Sequence, residues 1–353
     1  MPDPGHSRND PFHRNNHYVP RLYLKRWSSS KDLIWTYRTL VSNSRVPLWK
    51  ESSIRGVAYH SHLYTRIAAG NESDVIEKWL DREFEAPAEE AIIKATTDQR
   101  LTPEDWKCLV RFLAAQDVRT PTSLAEALIR WETEIPNLLE QTVSRAVRRL
   151  EDAKASGVVL GIQEPDPNRD TFPLRVTAEP SPNPDNAILK TEIVAGRALW
   201  LFSMSHLLEN TAKVLHQHKW TILSPPKGLT WVTSDDPVVC LYYRGGRYDF
   251  KGGWKKPGTD IFLPLGPHHL LYTEVGKRPP KRGSIIQESG LLHRFIVEHA
   301  HRMIFSVEPS KEVSQLRPRR VDADAFASEN EFWKQWHEGQ ARAEREISKR
   351  PKQ

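Results

Sequence analysis

The chain has 353 residues, 38% hydrophobic and 27% charged, with a mean hydropathy of −0.60 and a formal charge of +6. That length supports one large domain or two average ones, and 26 Pro with 17 Gly exclude a collagen-like or low-complexity chain. No run approaches the roughly 18 apolar residues that span a bilayer, and two cysteines, Cys108 and Cys240, cannot build a disulfide framework or a metal knuckle, so the expectation is a cytoplasmic protein with no membrane partner.

Residues 1–16, rich in Pro, Asn and charge, read as a disordered arm. Pro20 then holds Val19 extended and opens a short turn on which Leu24 and Trp27 share a face. Strands are predicted over 33–37 and 59–67 from their β-branched and aromatic content. A helical block follows over 73–155. Val75, Ile76, Trp79, Leu80 and Phe84 recur at helical spacing, and Thr102-Pro103-Glu104-Asp105 carries the cap, proline and carboxylate of a helix start. Ser123 with Glu126 reads as a capping box, and Pro136 as a start or kink.

Six prolines between 156 and 186 mark a connection, and a helix is predicted over about 186–217 with Gly196 inside it at a close helix contact. From 219 the period shortens. Segments 220–223, 229–233, 238–243, 261–265, 270–275 and 303–307 read as strands of a mostly antiparallel sheet, with a helix at about 285–301 before the last. Residues 322–347 make a charged helix with Phe326, Phe332, Trp333 and Trp336 on its aromatic face. The fold class is therefore α+β: a central helical block (73–155) and a Pro-rich connection (156–186) between an N-terminal strand-containing segment and a C-terminal mostly antiparallel sheet (219–308). Residues 17–308 read as one composite domain, and 309–353 as a charged helical extension.

The charge excess is unevenly spread. Residues 244–256 carry five positive charges (Arg244, Arg247, Lys251, Lys255, Lys256) against Asp249, interleaved with Tyr248, Phe250 and Trp254. Residues 277–282, beginning Lys277-Arg278, carry four, and 317–320 carry three. Cations neutralise phosphates while rings stack on bases, so Arg244, Arg247, Lys251, Trp254, Lys255, Lys256, Lys277 and Arg278 are candidate nucleic-acid contacts. The alternative is a solvated hairpin whose rings cover a neighbouring strand.

Two motifs carry chemistry. Asn16-His17-Tyr18-Val19-Pro20 places His17 beside an anchored turn, where an imidazole can serve as a general base or a turn cap. Thr233-Ser234-Asp235-Asp236-Pro237-Val238 places two acids at a strand end, where they can hold Mg²⁺ or Mn²⁺ or cap an Asx turn. The pairs His60/His62, His216/His218 and His299/His301 have alternate spacing, which splays side chains on a helix; only His60 and His62, on a strand, point one way.

A His-Tyr-Val-Pro-x-x-Tyr-Leu opening followed by Ser-Asp-x-Pro-Val resembles a bacterial family catalogued as domain of unknown function 4238, over about residues 15–308. Glu85 in Phe84-Glu85-Ala86-Pro87-Ala88, the run Gln116-Asp117-Val118-Arg119-Thr120-Pro121, and Phe262-Leu263-Pro264-Leu265 are similar to it as well. The resemblance implies relatedness and no reaction; its matching polar residues are His17, Glu85, Gln116, Arg119 and Asp235.

Those five suffice for metal-assisted phosphodiester hydrolysis: Glu85 and Asp235 on a divalent ion, His17 taking a proton from water, Arg119 meeting the phosphorane charge. That makes a nuclease-like hydrolase acting on nucleic acid, with a defence role as a guess, the first expectation. A non-catalytic module for nucleic acid or an acidic partner is the second, with the five as a buried ion-pair network. A hydrolase or transferase for a small anion, clamped by Arg119, is the third.

Overall fold

The computed structural model describes residues 12–68, 70–158, 173–182, 187–281 and 289–348. Residues 1–11 of the expected arm, much of the proline-rich connection and the start of the helix expected at 285 lie outside them.

The chain opens with β1 (Asn15–His17), α1 (Arg21–Leu24) and a 3-10 turn ending at Trp27. Six short strands follow: β2 (Leu33–Arg38), β3 (Leu40–Val41), β4 (Trp49–Ser53), β5 (Tyr59–Ser61), β6 (Arg66–Ala68) and β7 (Asn71–Ser73). The strand expected over 59–67 is thus two, interrupted from His62, whose φ of +57° turns the chain.

The helical block comprises α2 (Val75–Leu80), α3 (Ala86–Thr96), α4 (Pro103–Val118) and α5 (Pro121–Ala155). A wide π turn over Asp81–Glu85 joins α2 to α3. Pro87 accounts for it, because its ring would strike the Glu83 carbonyl in a regular α turn and it has no N–H to offer. α4 begins with the expected box between Thr102 and Asp105. The cap of α5 is Thr120 rather than Ser123: Thr120 Oγ1 accepts the Ser123 N–H at 3.3 Å, and Pro121 takes the first helical position. α5 continues through Pro136, whose missing bond leaves only the carbonyl of exposed Glu132 to water.

β8 (Leu174–Pro180) and β9 (Ala187–Ile193) form an antiparallel hairpin where a connection and a helix start were expected. Among the described residues these strands pair only with each other, and such edges tolerate the prolines that argued against a strand. α6 (Arg197–His206) therefore begins at Gly196, which flanks the helix instead of lying inside it. The close approach is real: a Cβ on Gly196 would meet Gln340 Oε1.

The C-terminal part runs through β10 (Thr221–Leu223), β11 (Thr233–Ser234), β12 (Val239–Arg244), β13 (Arg247–Asp249), β14 (Thr259–Gly266) and β15 (His269–Glu274). It ends with α7 (Ser289–His299), β16 (Met303–Ser306), α8 (Lys311–Leu316), β17 (Arg320–Val321) and α9 (Ala323–Ser348). One antiparallel sheet has the order β10-β15-β14-β12-β13; a second, β11-β16-β2-β4, is also antiparallel throughout. The fold is α+β, with helices in the middle of the chain and antiparallel sheets on its C-terminal side.

Because β2 lies between β16 and β4, the two ends of the chain share a sheet. Buried tyrosine and tryptophan side chains reinforce that closure. The Tyr23 hydroxyl donates to the Pro264 carbonyl at 2.6 Å and lies 2.7 Å from Thr233 Oγ1, while Trp27 Nε1 donates to the Trp231 carbonyl at 2.7 Å. One apolar cluster joins α1–α6 to the N-terminal turn and the inner face of β14; the other packs α7 on β12, β14 and β15. Burying each Phe or Leu of these clusters contributes about 1.5–3 kcal/mol.

Candidate functional site

Of the motif residues, His17, Glu85 and Arg119 form one set and Asp235 serves another, each set bonded to main chain. Arg119, at the end of α4, is fully buried. Its Nε donates to the Tyr18 carbonyl at 2.9 Å, Nη2 to the His17 carbonyl at 2.7 Å, and Nη1 to Glu85 Oε1 at 2.7 Å. The π turn sets Glu85 facing Arg119, and the Tyr64 hydroxyl donates to the Arg119 carbonyl at 2.7 Å. Glu77 also faces Arg119; burial, opposed by that guanidinium, raises its carboxyl to about 8. His17 therefore meets Arg119 through its carbonyl. Burial, and then the nearby Arg21 charge, lower its imidazole to about 4, and Nε2 has no partner among the described residues. Gln116 is fully buried, with neither side-chain amide atom bonded among the described residues.

Asp235 serves the other set. Oδ1 accepts the His301 N–H at 3.0 Å, Oδ2 accepts the Arg302 N–H at 2.8 Å, and its own N–H donates to the Met303 carbonyl at 3.0 Å. Burial outweighs those bonds and pushes the carboxyl up to about 7, with Asp236 adding repulsion. Thr39 closes the same turn, its N–H donating to the Arg302 carbonyl and its hydroxyl to that of His301.

Between the two pinned segments lies a cavity of about 300 Å³, at the lower end of the range for small-ligand pockets. Its lining combines Tyr18, Arg38, Ala58 and His60 from the N-terminal part, His301 and Arg302 from the turn before β16, and Glu329, Asn330 and Trp333 of α9. Ala58 has φ +52°, a left-handed conformation costly for a residue with a Cβ, and its carbonyl accepts the Tyr18 N–H at 3.0 Å. His60 is sandwiched between Tyr18 (centroids 5.4 Å) and Trp333 (3.7 Å). Burial, then the neighbouring His301, take it down to about 3, and burial, then Arg302 and Arg317, take His301 down to about 4. Both imidazoles are thus neutral near pH 7. Arg302 Nε reaches Glu329 Oε2 at 2.6 Å, whereas Arg38 has no acidic partner among the described residues.

The described lining of this cavity contains none of His17, Glu85, Gln116, Arg119 or Asp235. His17 and Glu85 meet at Arg119, which grips the carbonyl of the lining residue Tyr18, while Asp235 holds the N–H groups of the lining residues His301 and Arg302. Of the residues that do line it, the sequence singled out Tyr18 in its motif, His60 and His301 among the alternate histidines, Pro121 in a family-like run, and Phe326 and Trp333 on the aromatic face of the C-terminal helix, but not Arg38, Arg302, Glu329 or Asn330. His60 and His62 do point one way, toward α9, where they stack on Trp333 and His337.

Asp236 turns away from Asp235. It accepts from Thr120 Oγ1 at 3.0 Å, and its carbonyl accepts the His299 Nδ1–H at 3.1 Å. Nearby Asp117, raised to about 7 by burial and by Asp236, accepts Trp254 Nε1–H at 2.7 Å. Trp254 therefore anchors the basic loop. Tyr248 and Phe250 pack on Phe295, and Lys256 sits 3.3 Å over the Tyr242 ring. Arg244, Arg247, Lys251, Lys255 and Arg278 are exposed; Lys277 pairs with Glu274 at 2.7 Å.

Among the described residues, His62, Glu72 and His337 form a trio of metal-type ligands with donor atoms within 4.8 Å of one another. Two features argue against an ion there. Arg197 Nη1 lies 3.0 Å from His337 Nδ1, and arginine only donates; the proton therefore sits on Nε2, which donates to Glu72 Oε1 at 2.8 Å. The two imidazoles also stack at 3.8 Å and 17°, so their in-plane lone pairs run side by side rather than converge. The cluster docks α9, together with the buried Arg197–Glu344 pair at 2.9 Å.

A family model described as a protein of unknown function, DUF4238, matches residues 15–316. The chain belongs to the DUF4238 family. No curated protein and no solved structure matches it. In this DUF4238 protein the matched region ends with α8, so α9, one wall of the cavity, lies beyond it. Among the described residues, no helix is long and apolar enough to cross a membrane.

Proposed function

We propose that this DUF4238 protein binds nucleic acid or its fragments, seating one phosphorylated nucleotide in the cavity between Tyr18, Arg302 and α9. Arg38 and Arg302 supply forked donors that match a phosphate. Tyr59, Phe326 and Trp333 supply an aromatic wall for a base, with Asn330 and Glu329 at hand for its polar edge. The observation that carries the reading is the meeting of two arginines and an aromatic wall in one ligand-sized cavity whose opposite sides are pinned by family-motif residues. In this role Glu85, Arg119 and Asp235 are positioning residues, and the anion clamp assigned to Arg119 passes to Arg38 and Arg302.

A second reading adds phosphodiester hydrolysis, for which the cavity places two imidazoles, His60 and His301, beside both arginines; burial keeps them neutral and makes them weak bases toward an attacking water. A divalent ion shared by Glu85 and Asp235 would have to displace Arg119 from one and two main-chain N–H groups from the other.

Calorimetric titration with deoxynucleoside 5′-monophosphates, and with 5′-phosphorylated single strands, tests the proposal. Wild-type binding that weakens at least tenfold in R38Q/R302Q supports it, since each charge-assisted bond is worth about 1.5–3 kcal/mol. A wild type that binds neither probe contradicts it. Incubation of the same strands with the wild type and H60Q/H301Q, followed on a gel, decides the hydrolytic reading.

A further inference from the structure

A second basic and aromatic surface lies apart from the cavity. The first turn of α4 and the segment entering β10 enclose a groove of about 430 Å³ lined by Trp106, Lys107, His216, His218, Lys219 and Trp220. Both indoles are half-buried, so their rings are held by packing and still reach the groove. Trp220 is further fixed by Nε1–H donation to the Leu215 carbonyl at 2.8 Å. Lys219 has no acidic partner among the described residues, and Lys107 meets only Glu104 at 3.2 Å, on an exposed i,i+3 pair.

The groove does not end there. His218 Nε2–H donates to the Trp254 carbonyl at 2.7 Å, joining it to the loop that presents Lys251 and Lys255. Trp254 is tied in turn to Asp117. Two packed tryptophans share the groove with Lys107 and Lys219, and Lys255 follows the tethered Trp254, so rings for bases and cations for phosphates stand together as an unpaired strand requires. A duplex, its bases stacked inside, offers such rings nothing.

We propose that this groove and the adjoining loop form a sequence-tolerant track for single-stranded nucleic acid. Trp106 and Trp220 take base faces; Lys107, Lys219 and Lys255 take phosphates. The proposal shares with the preceding section the nucleic-acid ligand, but not the cavity.

The test is a salt titration of binding to an oligothymidylate of about 15 nucleotides, read by tryptophan fluorescence, for the wild type and for K107Q/K219Q. Each lost phosphate contact should reduce the log–log salt slope by about 0.7, so the double variant should bind with a slope shallower by about 1.4 and with less quenching. Its affinity for a mononucleotide, which reads the cavity alone, should be unchanged. An oligothymidylate slope identical to that of the wild type overturns the track and leaves the cavity untouched. Poly-glutamate competing as well as the oligonucleotide also overturns it, because the site would then be a docking surface for an acidic protein segment.

Discussion

Asp235 holds Arg302 by its main chain, and the side chain runs on from that anchor to line the cavity: Oδ2 accepts the Arg302 N–H at 2.8 Å while the guanidinium pairs with Glu329 at 2.6 Å. Arg119 stands in the same relation to Tyr18, gripping its carbonyl at 2.9 Å while Tyr18 also lines the cavity. The family-matching residues are thus one layer removed from the groups a ligand would meet. Their fixed geometry is what gives the exposed chemistry a defined shape.

Replacing Arg119 by Met should destabilise the protein by about 3–5 kcal/mol, because Glu85 and two carbonyls lose their partner inside the fold. E85Q keeps the neutral hydrogen bond and should cost less. Urea unfolding with an unchanged m-value measures both; an R119M midpoint equal to that of the wild type would refute the strut role.

Asp235→Ala strips the acceptor from two buried N–H groups, at about 1–3 kcal/mol each. The pH response has a definite sign. The carboxyl is raised to about 7 in the folded chain, so between about pH 4 and 7 the folded state binds more protons than the unfolded one. Its contribution to stability is therefore full below pH 4 and lost as the pH rises toward 7. The stability difference between wild type and D235N should shift accordingly across that window, and a difference independent of pH would show that Asp235 titrates normally.

His60 works in the opposite direction. Its imidazole falls to about 3 in the folded protein, so its contribution is full above about pH 6.5 and is lost as the pH drops toward 3. H60Q should become more stable relative to wild type as the pH falls from 6.5 to 4. Parallel stability curves for the two proteins would mean that His60 is not buried neutral.

Gly252 secures the basic loop by close approach, since a Cβ there would lie 2.6 Å from the Cys240 carbonyl oxygen and 2.5 Å from Thr259 Cγ2. Neither atom can swing away freely, so G252A should cost about 1–3 kcal/mol. It should also weaken oligonucleotide binding through the displaced Lys251 and Lys255. An unaltered melting temperature would mean that the loop is already loose.

Much of this was legible in the chain. Thr102-Pro103-x-Asp105 announced the start of α4, and the apolar runs at 238–243, 261–265 and 270–275 announced the strands β12, β14 and β15, because those signals act within a few residues. The β8–β9 hairpin was hidden by prolines that an edge strand tolerates. The start of α5 shifted three residues because Thr120 outbid Ser123 as cap, with Pro121 behind it. That His17, Glu85, Arg119 and Asp235 are the polar residues of the family-like motifs could be read; the main-chain groups that Arg119 and Asp235 hold could not. Main-chain groups of residues 17, 18, 301 and 302 carry no sequence signal, and the cavity they shape depends on α9 folding back from the end of the chain.

The central claim is that Asp235 acts on a ligand through Arg302, and a double-mutant cycle on 5′-mononucleotide affinity tests it most directly. D235N and R302Q should each weaken binding, and the double variant should bind no more weakly than R302Q alone. Fully additive losses, or a D235N protein that binds as the wild type does, would contradict it.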